Sequence, residues 1–252
     1  MAETAKLQLF VKASEDGESV GPCPSCQRLF MLLLLKGVPF TLTTVDTRRS
    51  LDVLKDFAPG SQLPILLYDG DAKTDTLQIE EFLEETLGPP EFPSLAPRYG
   101  ESTTAGNDVF HRFSAFIKNP VPTQDDALYQ MLLRALTRLD GYLSTPLGHE
   151  RAREPELRES RRRFLDGDQL TLADCSLLPK LHIVDVSGRA GRGAQGAGRA
   201  LHKALTSLRP SPADGVHALP PGAHTGRAAR RPPLPGQRAA SEGVQVHVSI
   251  QR

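Results

Sequence analysis

The sequence predicts an α/β domain over residues 1–88, an all-helical domain over residues 101–185 and a disordered tail over residues 186–252, with a proline-rich linker at 89–100. Three observations carry this reading. Strand-like and helix-like stretches alternate from Leu7 to Gly88, long apolar stripes of helical period replace them after the linker, and beyond Asp185 the chain turns to Gly, Ala, Arg and Pro with little periodicity. The charge divides the same way. The formal net charge of the whole chain is zero, but Val186 to Arg252 holds nine Arg and one Lys against one Asp and one Glu, a balance of +8 that leaves −8 for the rest. Such an asymmetry marks two unlike segments joined in one chain.

Leu7-Gln8-Leu9-Phe10-Val11 alternates apolar and polar side chains, as a strand with one buried face does. An acidic, glycine-punctuated loop from Ser14 to Gly21 follows and runs into Cys23-Pro24-Ser25-Cys26 and the apolar run Leu29 to Leu35. Pro24 suits the first helical position, because its φ is already helical and its missing N–H would have had no intrahelical partner. Cys23 then falls at the N-cap, and Gly37 with Pro39 supplies the stop. A thiol in that place meets unpaired amides and the positive end of the helix dipole, so its pKa should fall well below the roughly 8.5 of a free thiol. Cys23 is therefore the candidate nucleophile, and Cys26, one turn on, the resolving thiol. A C-x-x-C is also half of a zinc site, but Cys175 is the only other cysteine and no second ligand pair exists, so no metal is expected. Two incidental buried cysteines are the plainer alternative.

Phe40 to Val45 is rich in β-branched residues and reads as the second strand of a β-α-β unit. Ser50 to Ala58 suits a short helix ended by Pro59-Gly60. Leu63-Pro64 opens the strand Ile65 to Tyr68 and is a candidate cis bond, since a proline there must sit where no ladder donor is needed. Asp75-Thr76 begins a helix with Thr76 as the expected cap and Leu77, Phe82 and Leu83 as its buried stripe.

The order strand, C-P-x-C helix, strand, helix, L-P-I-L strand and an acidic-hydroxyl pair at a helix start resembles the thioredoxin-like half of omega-type glutathione transferases and glutaredoxins. More narrowly, the segments Cys23 to Met31, Leu35 to Phe40 and Phe57 to Leu66 resemble the chloride intracellular channel family. The resemblance implies a thioredoxin-like N-terminal domain, a glutathione-transferase-like helical C-terminal domain, and glutaredoxin-like exchange of thiols and disulfides with glutathione. In that scheme Cys23 attacks or carries the glutathionyl sulfur, Leu63 and Pro64 pair with the glutathione backbone, and Asp75 with Thr76 holds its γ-glutamyl end. It also implies a soluble protein whose region from about Ser25 to Val45 enters membranes conditionally as a chloride channel. A rival reading is a membrane-associating channel or scaffold in which the dithiol is only a redox switch. On physical grounds Leu29 to Leu35 is far short of the roughly 20 apolar residues a spanning helix needs.

In the second half, Val109, Phe113, Phe116 and Ile117 share a helical face, and Leu128, Leu132, Ala135, Leu136, Leu139 and Leu143 form a longer stripe. Both read as core. Arg158 to Arg163 reads as a solvated helix face, with nuclear import or an anionic partner as the sharper alternative. Thr171 with Asp174 forms a capping arrangement, and Cys175 beside it reads as a buried, apolar-like thiol. The family's final helices should follow Asp185 and are not legible there, so the apolar faces of Leu178 and Leu181 are expected to be left open. Met1 to Phe10 lacks a leader pattern and three cysteines lack framework spacing, which suits the cytoplasm and nucleus. Glutathione, protein or small-molecule disulfides, membrane lipids and chloride are the expected partners, and nucleic acid is not.

Overall fold

The computed structural model describes residues 6–48, 54, 58, 60–190 and 246–251, with 188–190 and 246–251 described by their backbone. Its sheet holds β1 (Leu7–Lys12), β2 (Phe40–Val45), β3 (Ile65–Tyr68), β4 (Asp71–Lys73) and β5 (Val246–Gln251), in the order β4-β3-β1-β2-β5. β1 runs parallel to β2, through the crossover helix α1 (Pro24–Lys36), and antiparallel to β3. β3 turns back onto β4 at Asp69-Gly70, where both residues have positive φ (49° and 89°). The expected cis bond is present at Leu63-Pro64.

Alternation along β1 sends its side chains into two layers. Leu7, Leu9 and Val11 pack with Leu29, Leu32 and Leu33 of α1 and with Ile79 and Leu83 of α2 (Thr76–Thr86). Phe10 meets Val45, Ile65, Leu54 and Ala58 on the other face. Of the short helix expected over Ser50 to Ala58, only Leu54 and Ala58 lie within the described residues; the Ala58 N–H bonds the Leu54 carbonyl at 2.8 Å, the spacing of a helical turn. In α2 the stripe differs from expectation. Leu77 is 59 % exposed, while Ile79 and Leu83, four residues apart, share the buried face with the partly buried Phe82. Leu77 lies six residues before Leu83, well round the helix from it.

The helical half comprises α3 (Gly100–Thr104), α4 (Val109–Ile117), α5 (Asp125–Ser144), α6 (Gly148–Arg153) and α7 (Leu172–Ala190). Its core joins Val109 and Phe113 to Leu132, Ala135, Leu136, Leu139 and Leu143 and to Leu177, Leu181 and Val184 of α7. Ile117, in the last turn of α4, is half exposed rather than core. The expectation that Leu181 is left open is corrected, because it is 1 % exposed inside this core, and Leu178 is partly buried against it. Arg158 to Arg163 is also corrected: it belongs to no helix, and Arg162 is buried, donating to the carbonyls of Thr145 (2.7 Å) and Tyr142 (2.5 Å) and pairing with Glu150. Asp174, in the first turn of α7, bonds back to Thr171 as anticipated, accepting its N–H and hydroxyl and, at the other oxygen, the N–H of Leu165, each at 2.9 Å.

Two described stretches fall inside the segment read as a disordered tail. α7 runs on to Ala190, and Val246–Gln251 forms β5; residues 191–245 and 252 lie outside the described residues. The signal for β5 is present in the sequence as the alternation Val244, Val246, Val248, Ile250.

The halves meet where α1 packs on α7. The Leu172 N–H bonds the Leu95 carbonyl at 2.8 Å, and Asp166 accepts the N–H groups of Arg98 and Tyr99, so the segment between the halves is tied to the helical side. At the other end, the loop before α1 folds back on β1. Ala13 bridges Val20, and the Gly21 N–H bonds the Lys12 carbonyl at 2.8 Å. A Cβ on Gly21 would stand 2.6 Å from the Ala13 oxygen and 2.8 Å from that of Lys12, so only glycine allows this approach. Gly21→Ala should therefore cost about 1–3 kcal/mol through forced displacement of the loop. Urea unfolding measures it; an unchanged midpoint would show that the loop yields freely.

Candidate active site

Cys23 is the N-cap of α1, with extended backbone (φ −90°, ψ 115°), and Pro24 takes the first helical turn without leaving an orphan donor there. The helix ends at Gly37 in the left-handed conformation (φ 71°). Cys23 is half-buried and Cys26 wholly buried, and both are free thiols. The Lys12 N–H, at the end of β1, donates to Cys26 Sγ at 3.4 Å.

Two thiols one turn apart are thus driven in opposite directions. The Cys23 thiol is lowered to about 6, chiefly by the hydrogen bond from Cys26; burial opposes this, while the amides of Cys26 and Ser25 and the charge of Lys12 assist. The Cys26 thiol is pushed far up by that same hydrogen bond, by burial and by the negative charge of Cys23. Near neutral pH the pair is a thiolate held by a thiol. Cys175 is buried and raised to about 12, first by burial and then by the charges of Asp174 and Glu80, as suits an inert core thiol.

The remaining expected site residues are placed as follows. Leu63 and Cys23 border the same apolar core. Pro64 is buried one residue before Ile65, which pairs with Phe10, so it lies at the end of the sheet where β1 approaches Cys26. Asp75, rather than Thr76, is the cap of α2: its Oδ1 accepts the N–H groups of Leu77 (3.0 Å) and Gln78 (2.9 Å), and Thr76 is the first helical residue. A carboxylate can accept two amides at the start of a helix and also complements its dipole, which favours Asp over the adjacent Thr.

Four contributors escaped the sequence reading. Lys12 had no visible signal, because its part depends on where β1 ends. Arg28 and Glu80 form a two-pronged ion pair between α1 and α2. Burial raises the Glu80 carboxyl against the pull of Arg28, and burial together with Arg28 lowers the half-buried Lys180 ammonium of α7. Lys36, at the far end of α1, has a fully buried side chain whose ammonium donates to the carbonyls of Leu87 (2.7 Å) and Pro93 (2.9 Å) and pairs with Glu84 at 2.7 Å. A charge following seven apolar residues was a visible oddity; its three partners were not. Among the described residues no helix is long and apolar enough to cross a membrane.

Known proteins bear on both halves. Residues 5–90 match the model of the CLIC-like N-terminal domain, and residues 124–218 that of the glutathione S-transferase C-terminal domain. The chain is 89 % identical over 185 residues to chloride intracellular channel protein 3 of Mus musculus, and 88 % identical over 185 residues to that of Homo sapiens, each match covering 73 % of this chain and 78 % of the relative. Among solved structures it resembles dehydroascorbate reductase of Chlamydomonas reinhardtii (TM-score 0.61, 24 % identity, 82 % of this chain and 89 % of that one). It also resembles glutathione transferase Omega 3C of Trametes versicolor (TM-score 0.58, 19 % identity, 81 % and 84 %). At such identities these two speak for the fold, a thioredoxin-like domain followed by a glutathione-transferase helical domain. With the C-P-x-C helix, the sheet and the helical half all in place, the chain belongs to the chloride intracellular channel family.

Proposed function

We propose that the chain is a glutathione-dependent thiol-disulfide oxidoreductase. The observation that carries this is the pairing of a half-buried N-cap thiol lowered to about 6 with a buried thiol held protonated one turn away. Cys23 Sγ attacks one sulfur of a disulfide, forms a mixed disulfide and releases the other sulfur as a thiolate that takes a proton from water. That step removes the negative charge on Cys23 and the acceptor of the Cys26 hydrogen bond, two of the three causes that keep Cys26 protonated. Burial alone then opposes ionisation, with the Lys12 N–H already in place to receive the sulfur charge. Cys26 loses its proton, attacks Cys23 Sγ, and the second thiol leaves. Glutathione supplies the two electrons that return the dithiol, two of its thiols becoming one disulfide.

The residues fit such a reductant. Leu63 and Pro64 sit at the sheet end beside the dithiol, as a peptide backbone partner must, and Lys12 adds a cation there. Asp75 uses Oδ1 for both amides of its helix, which leaves Oδ2 for the ammonium of a γ-glutamyl group, with Thr76 next to it.

The second reading is conditional membrane association as a chloride channel, in which the dithiol is a switch. Family membership and the name of the relatives favour it. Because Leu29, Leu32, Leu33, Phe40 and Leu42 are core residues, entry of Ser25 to Val45 into a bilayer competes with folding. Cytoplasm and nucleus, with reversible attachment to membranes, would be its places of work.

Cys23→Ser should abolish glutathione-dependent reduction of a small disulfide, whereas Cys26→Ser should keep part of it, since a second glutathione can resolve the intermediate. Equal residual rates would overturn the assignment. The alkylation rate of Cys23 should fall as pH drops through about 6, and in Cys26→Ala the midpoint should move upward because the largest lowering cause is gone; an unmoved midpoint would count against the hydrogen bond. For the second reading, chloride efflux from anionic liposomes should rise in acid, where carboxylates lose charge, and on oxidation of the dithiol, and stay at background for reduced protein at neutral pH. Efflux that vanishes in high salt would reflect adsorption by charge instead.

A further inference from the structure

β2 carries partners on both sides. β1 lies on one, and β5 lies on the other, parallel, in continuous register from Phe40 opposite Val246 to Val45 opposite Gln251. Without β5, β2 would end the sheet. A terminal strand offers a row of unpaired N–H and C=O groups and is ordinarily blunted by charge, proline, a bulge or shortness. β2 has none of these: Phe40-Thr41-Leu42-Thr43-Thr44-Val45 is six residues long, uncharged, without proline, and paired with β1 without a break in register. β5 suits such an edge. Its residues Val246, Val248 and Ile250 alternate with polar ones, and the register sets them opposite Phe40, Leu42 and Thr44, all buried.

We propose that the outer edge of β2 is a strand-accepting site for an extended peptide with apolar residues at alternate positions, and that Val246–Gln251 of the same chain occupies it in cis, closing the sheet to other strands. Backbone pairing supplies the attraction and the alternate residues fix the register, as in other strand-addition modes. The tether through residues 191–245 keeps the occupant at high effective concentration, so a free strand competes poorly. This inference stands apart from the dithiol chemistry, and its test reads neither turnover nor efflux.

Hydrogen exchange on the full reduced chain provides that test. Alternate N–H groups of a terminal strand face its neighbour, so of Val248→Pro and Ser249→Pro, made separately, one removes a ladder donor from the middle of β5 and is the variant read below. Exchange of the segment 40–45 should then speed up by about tenfold or more at its outward amides, while 7–12 in β1 stays slow. An excess of the peptide with residues 244–252 should restore slow exchange to this variant and leave the natural chain unchanged. Equal exchange in the two chains, or no rescue by the peptide, would overturn the proposal. A second variant does not depend on tolerance of proline. Thr41 and His247 are register partners, and adjacent strands lie within the Cα separation a disulfide needs. Thr41→Cys with His247→Cys should give, on mild oxidation and peptide mapping, a 41–247 link within one chain. A link between chains, or none, would refute occupation in cis.

Discussion

The ammonium of Lys36 is taken wholly out of water, and it is held there by two carbonyls and a carboxylate drawn from beyond the end of α2 and from its last turns. An unpaired buried charge costs several kcal/mol, so this cluster is stable only when α1, α2 and the segment through Pro93 are all in place. It therefore fixes the length and seating of α1 at one end. At the other end Gly21 lets the preceding loop lie against the carbonyls of Lys12 and Ala13, and the Lys12 N–H reaches Cys26. Between these anchors α1 is covered by the sheet and by α7. The position of Cys23 at the helix start follows from both anchors.

Seating also explains why two chemically identical side chains behave so differently. Cys23 stands outside the first turn, half in solvent, and meets amides; Cys26 lies one turn into the helix, buried against β1. Each sulfur is the main cause of the other's shift, so their opposition is a property of the pair. Any entry of the α1 and β2 region into a membrane would have to compete with the burial of its apolar side chains. The apolar residues that a bilayer would receive are those that fill the space between sheet and helices.

Buried polar groups, rather than apolar contact alone, bind the linker to the helical half and hold that half together. Asp166 holds the backbone at Arg98 and Tyr99, Asp174 holds Leu165 and Thr171, and Arg162 closes the carbonyls at the end of α5. Each is a buried group whose partners come from a different stretch of chain, which makes the irregular segment between α6 and α7 part of the framework.

Local chemistry made much of this legible from sequence. Period-two alternation marks β1; proline after Cys23 and glycine at 37 bound α1; Thr171 with Asp174 opens α7. These depend on neighbours in the chain, and so does the C-P-x-C pair with its family resemblance. Tertiary structure decided what neighbours in the chain cannot. It chose Asp75 over Thr76 as cap, turned Leu77 outward, buried Arg162 within a run of exposed-looking arginines, and brought Lys12 to Cys26 and Glu84 to Lys36. The physical reason is common to all of them: a charge or donor is stabilised by whichever partner shares its space once water is excluded, and that partner is set by the packing of distant segments rather than by spacing along the chain.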